Sequence, residues 1–564
     1  GIVRSPGRPL PLAWIWQSGH TCPGHACPGA SRKLLLLVVI ALLTACYRPA
    51  PEVESFEGEQ PTGGGEPSAS APSTRGSSAT GSAGSSATGA ATGSGAPSLA
   101  PSPTPAYPGT YSGTPTPNPT PVGHGEGGGI ETYTVQPGET LSFIASVYGC
   151  TIEEIVAANN LGSAHAIQAG QTLRIPTMAA ETGPSLKLVP DSEMVYGPAT
   201  IDFDLEGFVM GQGGYLADYT DEVEGQLRTG PEIVQLVAQR FSVGPRVLLA
   251  LLELKSGWVT DPKPAGGTLV YPMGHVQGYQ EGLFRQLSWA AVRLNEAYYG
   301  WKRGDHGTVR LMNGVRIGVA PELNAGTVGV QNCLAAMAAN GDEWTSMVGP
   351  GGFPAAYEQL FGNPFAYAVE PLVPDDLIQP EMRLPWRSGE TWYLTGGPHG
   401  GWAEGSGMAA VDFVPGGKML GCSPAPDWVT AAAPGLVIRS ENGEVVVDLD
   451  GDSFEQSGWT LLYLHMYNEG RVEEGDWLER GERIGHPSCE GGFAEATHLH
   501  FARRYNGEWI PAGNGAVPMV LSGWTAHEDV MPYDGTMTRG NEERTACECW
   551  EDDINGLVSD NRAP

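Results

Sequence analysis

The sequence predicts a multidomain protein with a βααβ module, a mostly α-helical middle domain and an antiparallel all-β C-terminal domain with a groove. Residues 131–176 have short β-rich ends around two helical stretches that begin after hydroxyl residues. Residues 185–375 contain helical stretches that begin with proline, which is favoured in the first helical turn. Residues 380–535 have β-branched and aromatic runs between glycine-rich turns, a pattern typical of antiparallel strands.

Residue patterns also predict where the main elements lie. Apolar residues at helical spacing favour four helices in the middle domain, at Pro231 to Arg240, Pro245 to Leu254, 279–299 and 328–339. Short β-branched and aromatic runs favour three strands in the C-terminal domain, at Glu444 to Leu449, Trp459 to Met466 and His498 to Arg503.

Composition limits the partners of this 564-residue chain. It contains 80 Gly and 47 Pro, too many for one compact domain, so part of it must be linker. The formal net charge is -32, from 31 basic and 63 acidic residues. Because this charge repels phosphates, nucleic acid and anionic lipid surfaces are excluded as main partners.

The N-terminal region predicts export from a bacterial cell. Arg32 and Lys33 precede an apolar run at 34–43, which is too short to span a bilayer as a helix. The run ends in Leu-Thr-Ala-Cys46, which resembles a bacterial lipobox and implies a lipid anchor on Cys46. An ordinary signal peptide or a weak retained anchor are the alternatives. We therefore expect a signal and upstream segment at 1–45 and localisation on the extracellular face of the envelope, or secretion.

Two segments of different composition follow the N-terminal region. Residues 46–128 are rich in Pro, Gly, Ser, Ala and Thr, a composition that predicts disorder. Residues 131–176 resemble a lysin-motif (LysM) domain over their full length, which implies a βααβ fold that binds N-acetylglucosamine-containing glycans. The resemblance assigns the glycan groove to two loops, with candidate contacts at Gly138, Glu139, Thr140, Ile167 and Gln168.

A helix in the middle domain resembles the catalytic helix of lytic transglycosylases and goose-type lysozymes, over Pro245 to Trp258. In that family a glutamate immediately before the helix serine is the general acid, and here Lys255 stands at that position. Glu253 lies about 200° away around the helix, so it does not simply replace the missing acid. We expect a catalytically inactive lysozyme-like domain at 185–375, and the alternative is a rearranged site that uses Glu253.

Two histidine-containing strands predict a metal site in the C-terminal domain. If His498-Leu-His-Phe501 is a strand, both imidazoles share one face while Leu499 and Phe501 enter the core. In the segment Leu461 to Met466, alternation predicts that Leu462, Leu464 and Met466 face one way and His465 shares the other face with Tyr463.

A third segment adds a histidine and a carboxylate. His399 precedes the apolar run Met408 to Phe413, which contains Asp412. A buried carboxylate without a partner is costly, and a metal ion is one natural partner for it. Each feature alone has an ordinary structural explanation, and the prediction depends on their conjunction.

The segments around His465, Gly475 to Gly485 and His498 resemble, in this order, the lysostaphin and β-lytic (staphylolysin-like) zinc endopeptidases, also called LytM-type peptidases. The resemblance implies one Zn²⁺ per domain with His399, Asp412 and His500 as ligands, which leaves a fourth position open for water. It implies that His465 and His498 polarise this water and stabilise the tetrahedral intermediate. His399 and Asp412 are thirteen residues apart, a longer spacing than in the wider family and one typical of the staphylolysin-like branch.

Other residues receive weaker interpretations. Cys422 and Cys489 are a candidate disulfide within the catalytic region, whereas Cys547 and Cys549 are too close for an easy mutual bridge. The glycine-rich segment 400–407 is either a loop that shapes the groove, with Trp402 as a substrate contact, or a flexible connector. His486 and His527 match no motif position, and residues 536–564 are interpreted as an acidic tail.

The sequence leaves three functions to compare. The leading one is an exported, lipid-anchored zinc endopeptidase that hydrolyses peptide cross-links of peptidoglycan, with glycyl bonds as candidate targets. The second is a non-catalytic wall-binding or hydrolase-regulating scaffold, against which all five expected metal and catalytic positions argue. The third makes the lysozyme-like domain the enzyme, against which Lys255 argues.

Overall fold

The structure of the protein is a computed structural model, and it describes residues 129–135, 140–148, 150, 152–162, 167–168, 170–177, 182–416, 421–529 and 531–560. The predicted signal segment, Cys46 and the predicted tether lie outside the described residues, as do Gly138 and Glu139 of the predicted glycan groove. No helix in the described part of the chain is long and apolar enough to cross a membrane.

The first module has the predicted βααβ order. Strand β1 (Gly129–Thr134) pairs antiparallel with β2 (Thr172–Thr177), and helices α1 (Leu141–Tyr148) and α2 (Ile152–Asn159) lie between them in sequence. Its small core contains Leu141, Ile144, Ile155, Leu173 and Ile175, all almost fully buried. Thr140, Ile167 and Gln168 are the described candidates of its glycan groove, and all three are at least partly exposed.

The middle domain is mainly helical, as predicted. Its helices are α3 (Asp191–Met194), α4 (Leu205–Gln212), α5 (Tyr215–Asp218), α6 (Gly230–Phe241), α7 (Pro245–Ser256), α8 (Leu283–Arg303), α9 (Ala325–Ala336), α10 (Gly341–Val348) and α11 (Phe353–Phe361), with two hairpins of β3 (Thr220–Val223) with β4 (Gln226–Thr229) and β5 (Thr308–Arg310) with β6 (Arg316–Gly318). Helix α6 begins with a capping box in which Thr229 and Glu232 bind each other's backbone N–H groups. These local signals explain why the predicted helix positions are close to the observed ones.

The structure gives Glu253 a role at the end of α7. Its carboxylate accepts hydrogen bonds from the backbone N–H groups of Val259 and Thr260 and from the Thr260 hydroxyl. These contacts hold the turn that follows the helix. A structural role therefore accounts for Glu253 without a rearranged lysozyme site, and the lysozyme-like identity of the domain remains a prediction.

The C-terminal domain is built on one antiparallel sheet with strand order β13-β10-β11-β12-β15-β8-β7-β21, and β16 pairs with β15. The strands are β7 (Thr391–His399), β8 (Ala410–Pro415), β10 (Gly435–Glu441), β11 (Glu444–Asp448), β12 (Trp459–Leu464), β13 (Trp477–Leu478), β15 (Leu499–Tyr505), β16 (Glu508–Trp509) and β21 (Gly556–Val558). Smaller sheets are formed by β9 (Val429–Thr430) with β14 (Arg483–Gly485), and by β17 (Val520–Leu521), β18 (Trp524–Glu528), β19 (Gly535–Arg539) and β20 (Glu542–Thr545).

The two faces of the main sheet enter different cores. One face packs with residues of the smaller sheets, and this core includes Val445, Val447, Tyr463, Phe501 and Phe413. The opposite face shares a core with the helices of the middle domain and includes Ala410, Val446, Leu462, Leu464 and Ala502. The middle and C-terminal domains are therefore joined by a continuous apolar contact.

Buried ion pairs accompany this contact between the domains. The Arg240 guanidinium on α6 donates to Glu444 on β11 over 2.6 Å, and both side chains are 1% exposed. Arg439 on β10 donates to the other Glu444 oxygen over 2.8 Å. Removal of one partner from such a pair leaves a buried charge, which is strongly destabilising.

The predicted acidic tail at 536–564 is wrong for most of its length. Strands β19 and β20 belong to the four-stranded sheet, and β21 extends the main sheet by pairing with β7. Leu557 is fully buried in the core of the C-terminal domain. The segment is polar on average, but its few apolar side chains are sufficient to close the edge of the sheet.

Within the residues that the structure describes, two disulfides are present. Cys422 is bonded to Cys489 with a Cα–Cα distance of 5.3 Å. Cys547 is bonded to Cys549 with a Cα–Cα distance of 5.2 Å, although their spacing in the sequence favours the interpretation that the two residues are too close for an easy mutual bridge. The intervening residue allows the two Cα atoms to reach the distance that a disulfide needs.

If β21 completes the sheet, the substitution Leu557→Ala should lower the free energy of unfolding by about 2–5 kcal/mol, because it leaves a cavity in the core. The neighbouring Val558 is 45% exposed, so Val558→Ala is the matched control and should change stability by about 0.5 kcal/mol or less. Urea denaturation followed by tryptophan fluorescence measures both values. Equal effects of the two substitutions would restore the interpretation of this segment as a tail.

Candidate metal centre

Four adjacent strands carry the predicted site residues. His500 on β15 lies directly opposite Asp412 on β8 in the antiparallel register. Strand β7 pairs with the other side of β8, and its last residue is His399. Strand β12 pairs with β15 and is followed immediately by His465. The sheet therefore brings together residues that are far apart in the sequence.

The long spacing between His399 and Asp412 belongs to a β-hairpin. The register of β7 and β8 shifts twice near Gly396, and this brings the end of β7 over Asp412. Residues 400–409 connect the two strands, and Gly401 and Gly407 close this connection with a backbone hydrogen bond of 2.9 Å. The longer spacing therefore adds a loop and leaves the approach of the two side chains intact.

His399, Asp412 and His500 each direct a potential ligand atom to one point, with all three atoms within 4.8 Å of one another. His399 Nε2 lies 3.0 Å from His500 Nδ1 and 3.3 Å from Asp412 Oδ1. His500 Nδ1 lies 3.2 Å from the same carboxylate oxygen. These are the three residues that the sequence predicts as ligands.

Backbone carbonyls fix which nitrogen of each imidazole faces this point. The Gly397 carbonyl accepts a hydrogen bond from His399 Nδ1 over 2.7 Å, and the Gly401 carbonyl accepts one from His500 Nε2 over 3.0 Å. In the neutral rings the opposite nitrogens are therefore lone-pair donors. A carbonyl partner on the outer nitrogen is the usual way in which proteins orient a metal-binding histidine.

The electrostatics of the three side chains also fit a cation. The Asp412 side chain is buried, and its Oδ1 has no hydrogen-bond partner in the described part of the chain. Burial would raise the pKa of Asp412, but the facing His399 and His498 hold it well below its ordinary value. Burial likewise opposes protonation of His399, yet Asp412 outweighs it and raises the pKa of His399. An anion and two lone pairs thus converge where a metal ion would satisfy all three.

His465 and His498 form a second pair beside these ligand candidates. Their ring centroids are 4.4 Å apart, and His498 Nε2 lies 3.9 Å from Asp412 Oδ1. The Glu490 and Ala496 carbonyls accept hydrogen bonds from their Nδ1 atoms over 2.8 Å in each case. Both Nε2 atoms are therefore left for other partners. Burial and the two neighbouring histidines lower the pKa of His465 to about 3, so this ring is neutral near pH 7.

The predicted alternation of side chains fails at His465. Leu464 enters the core shared with the helices, whereas Met466 enters the opposite core with Tyr463. His465 has φ of 67°, in the left-handed region, so the strand ends at Leu464 and the extended periodicity ends with it. This turn directs the imidazole toward His498 and away from Tyr463. Backbone strain of this kind is concentrated at functional sites.

Two contributors to the site have no signal in the sequence. Gly396 lies opposite Asp412, and a Cβ atom there would be 2.7 Å from the carboxylate, so only glycine leaves room for it. The Tyr533 ring stacks on His399 with centroids 4.1 Å apart. Tyr533 lies in the segment after β18, and its distance in sequence from every motif explains why it was missed.

The glycine-rich loop 400–407 lies against the middle domain. The Trp402 ring packs on Phe241, and the Arg240 guanidinium lies 5.2 Å from its centroid. Trp402 is half-buried by these contacts, and its predicted role as a substrate contact remains a prediction. His486 and His527 lie apart from the centre, where they bind the Asp427 carbonyl and the Thr538 hydroxyl, respectively.

A cavity of about 900 Å³ lies elsewhere, between the middle domain and β16. Lys302, Glu508 and Trp509 are among its lining residues, and the five site residues are not. The five site residues therefore lie outside this cavity, on and beside the strands of the main sheet.

Comparison with known families identifies three segments of the chain. Residues 419–511 match the family model for peptidase family M23, and residues 133–176 match that for the LysM domain. Residues 187–373 match the model for the N-terminal domain of LasA. The resemblances to a LysM domain and to a staphylolysin-like peptidase are thereby confirmed.

The chain is also similar to individual proteins. Protease LasA of Pseudomonas aeruginosa strain UCBPP-PA14 is 25% identical over 352 residues, which cover 58% of this chain and 76% of the relative. N-acetylmuramoyl-L-alanine amidase XlyA of Bacillus subtilis is 37% identical over 65 residues, or 12% of this chain and 22% of the amidase. The solved structure of pseudoalterin, a deep-sea M23 metalloprotease, is 26% identical, with 31% of this chain and 97% of that chain covered and a TM-score of 0.25. The C-terminal domain is therefore similar to peptidase family M23, in a chain that also matches the LysM domain and the N-terminal domain of LasA.

Proposed function

We propose that the protein is a zinc endopeptidase that hydrolyses peptide cross-links of peptidoglycan, with glycyl bonds as candidate targets. The single observation that carries the proposal is the convergence of His399, Asp412 and His500, with His465 and His498 beside them. Two nitrogens and one carboxylate oxygen are a common ligand set of catalytic zinc. When bound, zinc polarises the scissile carbonyl and lowers the pKa of an attacking water.

The two remaining histidines have complementary roles in this proposal. His465 is neutral near pH 7, so its Nε2 can accept a hydrogen bond or a proton from the attacking water. His498 lies closer to Asp412 and is more exposed than His465, with a side chain that is 17% exposed. It is therefore suited to stabilise the oxyanion of the tetrahedral intermediate, while His465 returns the proton that it accepted to the leaving amine.

Substrate would approach from the side of His498. The other four site residues are each at most 8% exposed, because the sheet face that carries them packs against the middle domain. On the open side, Gly492 lies against the His465 ring and the next residue, Phe493, is 90% exposed. An exposed aromatic ring beside the catalytic pair is a candidate contact for the peptide.

The LysM domain and the relatives support peptidoglycan as the substrate. LysM domains bind N-acetylglucosamine-containing glycans, and the related amidase acts on N-acetylmuramoyl-L-alanine by its name. The LysM domain would hold the glycan strand through the loops that include Thr140, Ile167 and Gln168. Lipid attachment at Cys46 would keep the enzyme on the extracellular face of the envelope, with residues 46–128 as the tether.

A non-catalytic, wall-binding scaffold is the alternative. Such a protein would retain the fold and the LysM domain but would have lost ligand or catalytic residues. All five positions are present here, and backbone carbonyls orient all four imidazoles. The free energy needed to keep these polar groups in a buried site favours an active centre over a scaffold.

The ligand assignment predicts how zinc affinity responds to substitution and to pH. The full-length chain should bind about one zinc ion, and Asp412→Asn or His500→Ala should weaken its affinity by more than the 10- to 100-fold typical of outer partners. The control is His527→Ala, because His527 is a partly buried histidine outside the site. This variant should bind zinc with the affinity of the unaltered chain. Competition with a chromophoric chelator measures the affinities.

The pH dependence follows from His399. Its pKa lies above the ordinary value of about 6.5, so as the pH falls through that pKa a proton occupies the nitrogen that zinc requires. The affinity should therefore be constant at higher pH and fall by about tenfold per pH unit below the pKa of His399. An affinity that rises as the pH falls would refute the assignment of His399.

The roles of His465 and His498 are tested by measuring zinc content and hydrolysis rate separately in each variant. His465→Ala and His498→Ala should each reduce the hydrolysis rate by about 10²-fold or more while zinc remains bound. Zinc content is measured by plasma mass spectrometry, and fragments released from defined peptidoglycans are identified by mass spectrometry. The full chain and a segment that ends after residue 560 should be assayed in parallel, because β21 belongs to the sheet.

The control and the contrary outcomes are equally specific. His527→Ala should retain both zinc and activity. If either His465→Ala or His498→Ala loses zinc, the division between ligands and catalytic histidines is wrong. A zinc-free wild-type protein whose hydrolytic activity survives chelators would overturn the proposal that zinc is the cofactor.

A further inference from the structure

The turn between β11 and β12 carries three carboxylates at alternate positions. Asp448 is the last residue of β11, and Asp450 and Asp452 follow it in the turn. One oxygen from each carboxylate lies within 4.8 Å of the others. Asp448 is buried and Asp450 is exposed, so the cluster extends from the sheet to the solvent.

Basic side chains near this turn are engaged elsewhere. Arg439 pairs with Glu444 and Glu455, and Arg504 also pairs with Glu455. In the described part of the chain, none of the three aspartates forms an ion pair with a basic side chain. The N–H groups of Asp450 and Ser453 donate hydrogen bonds to Asp448, and the Phe454 N–H and the Ser457 hydroxyl donate to Asp452. These neutral donors leave the negative charge of the cluster in place, and a metal cation would neutralise it.

Thr460 provides an independent observation at the same place. It lies directly opposite Asp448 in the antiparallel register of β11 and β12, so both side chains project from the same face of the sheet as neighbours. Thr460 is 1% exposed, and its hydroxyl oxygen has no hydrogen-bond partner in the described part of the chain. A buried hydroxyl without a partner is unfavourable, and a cation held by Asp448 would give this oxygen a ligand role.

The donor set and spacing favour calcium over other metals. All four donors are oxygens, which suit hard cations, whereas zinc prefers nitrogen and sulfur. The aspartates occupy positions 1, 3 and 5 of a loop, as in the EF-hand. Ser453, at position 6, has φ of 73°, the left-handed conformation for which EF-hands use glycine. Trp459 stands at position 12 in place of the bidentate glutamate, so the site should be weaker than an EF-hand.

We propose that Asp448, Asp450 and Asp452, together with the Thr460 hydroxyl, bind one Ca²⁺ at the turn between β11 and β12. Water molecules complete the coordination on the exposed side, where Asp450 faces solvent. The ion joins the end of β11 to the start of β12, the strand that leads to His465. Its role is structural, and it is independent of the proposed peptidase chemistry.

The test uses the full-length, zinc-loaded chain in calcium-free buffer. Isothermal titration with Ca²⁺ should show one site with a Kd between about 10⁻⁵ and 10⁻³ M, and saturation should raise the temperature of thermal unfolding. Tb³⁺ provides a second probe, since the Trp477 ring packs over Gly451 within the turn and can sensitise its luminescence. Added Ca²⁺ should displace the Tb³⁺ signal.

Substitutions assign the binding to this turn. Asp450→Asn and Asp452→Asn should each weaken Ca²⁺ binding by about tenfold or more, because each removes a charged ligand. Asp553→Asn alters an exposed aspartate in the segment between β20 and β21 and should leave binding unchanged. Circular dichroism checks that each variant is folded.

The substitution Thr460→Val tests whether the Thr460 hydroxyl is a calcium ligand or has only a structural role. The substitution removes no hydrogen bond, so the calcium-free protein should unfold at the same or a higher temperature, while Ca²⁺ affinity falls severalfold. An unchanged affinity would exclude the hydroxyl as a ligand. The proposal is overturned if Ca²⁺ produces neither heat nor Tb³⁺ displacement up to about 10 mM, above the range of weak protein calcium sites. Equal binding by Asp450→Asn and Asp553→Asn would also overturn it.

Discussion

The buried carboxylate of Asp412 is the constraint on which the C-terminal domain depends. It lies on β8, between β7 and β15, where an unpaired charge would be too costly to keep. The antiparallel register of β8 and β15 places His500 opposite Asp412, and the β7–β8 hairpin brings His399 to the same carboxylate oxygen. Both imidazoles reduce the cost of burying this charge. The neighbouring strand has to supply Gly396, because any side chain there would meet the carboxylate. The pairing of β7, β8 and β15 thus brings partners to the buried Asp412 carboxylate.

The two faces of the sheet explain why this site lies next to the middle domain. Apolar residues that alternate with the site residues fill one core, which leaves the site residues on the opposite face. That face carries small residues such as Ala410 and Ala502, which allow the helices to approach closely. The buried pair of Arg240 and Glu444 accompanies this contact. The side chain of His498 is 17% exposed, more than those of the other four site residues, so its side would be the approach to the site.

Sequence patterns predicted those parts of the fold that depend on periodicity. Leu499 and Phe501 enter the core as alternation requires, and His500 therefore faces Asp412. The position of His465 could not be predicted, because a single left-handed residue ends the alternation. The contributions of two distant segments could not be predicted either. The Tyr533 ring stacks on His399 and β21 pairs with β7, and neither contact leaves a local pattern in these polar stretches of the sequence. Periodicity thus predicted the face of His500, whereas the set of ligand candidates came from the family resemblance, and the residues that support them had no signal in the sequence.

The same physical requirement operates twice on one face of this sheet, with different donors. Asp412 is surrounded by imidazole nitrogens, whereas Asp448 is accompanied by two further carboxylates and the Thr460 hydroxyl. Nitrogen-rich ligand sets favour zinc, and sets made only of oxygen favour calcium. A histidine centre discriminates against calcium because imidazole is a poor ligand for it, and the acidic turn discriminates against zinc because it lacks nitrogen. Donor chemistry would therefore keep two cations in separate sites on strands of one sheet.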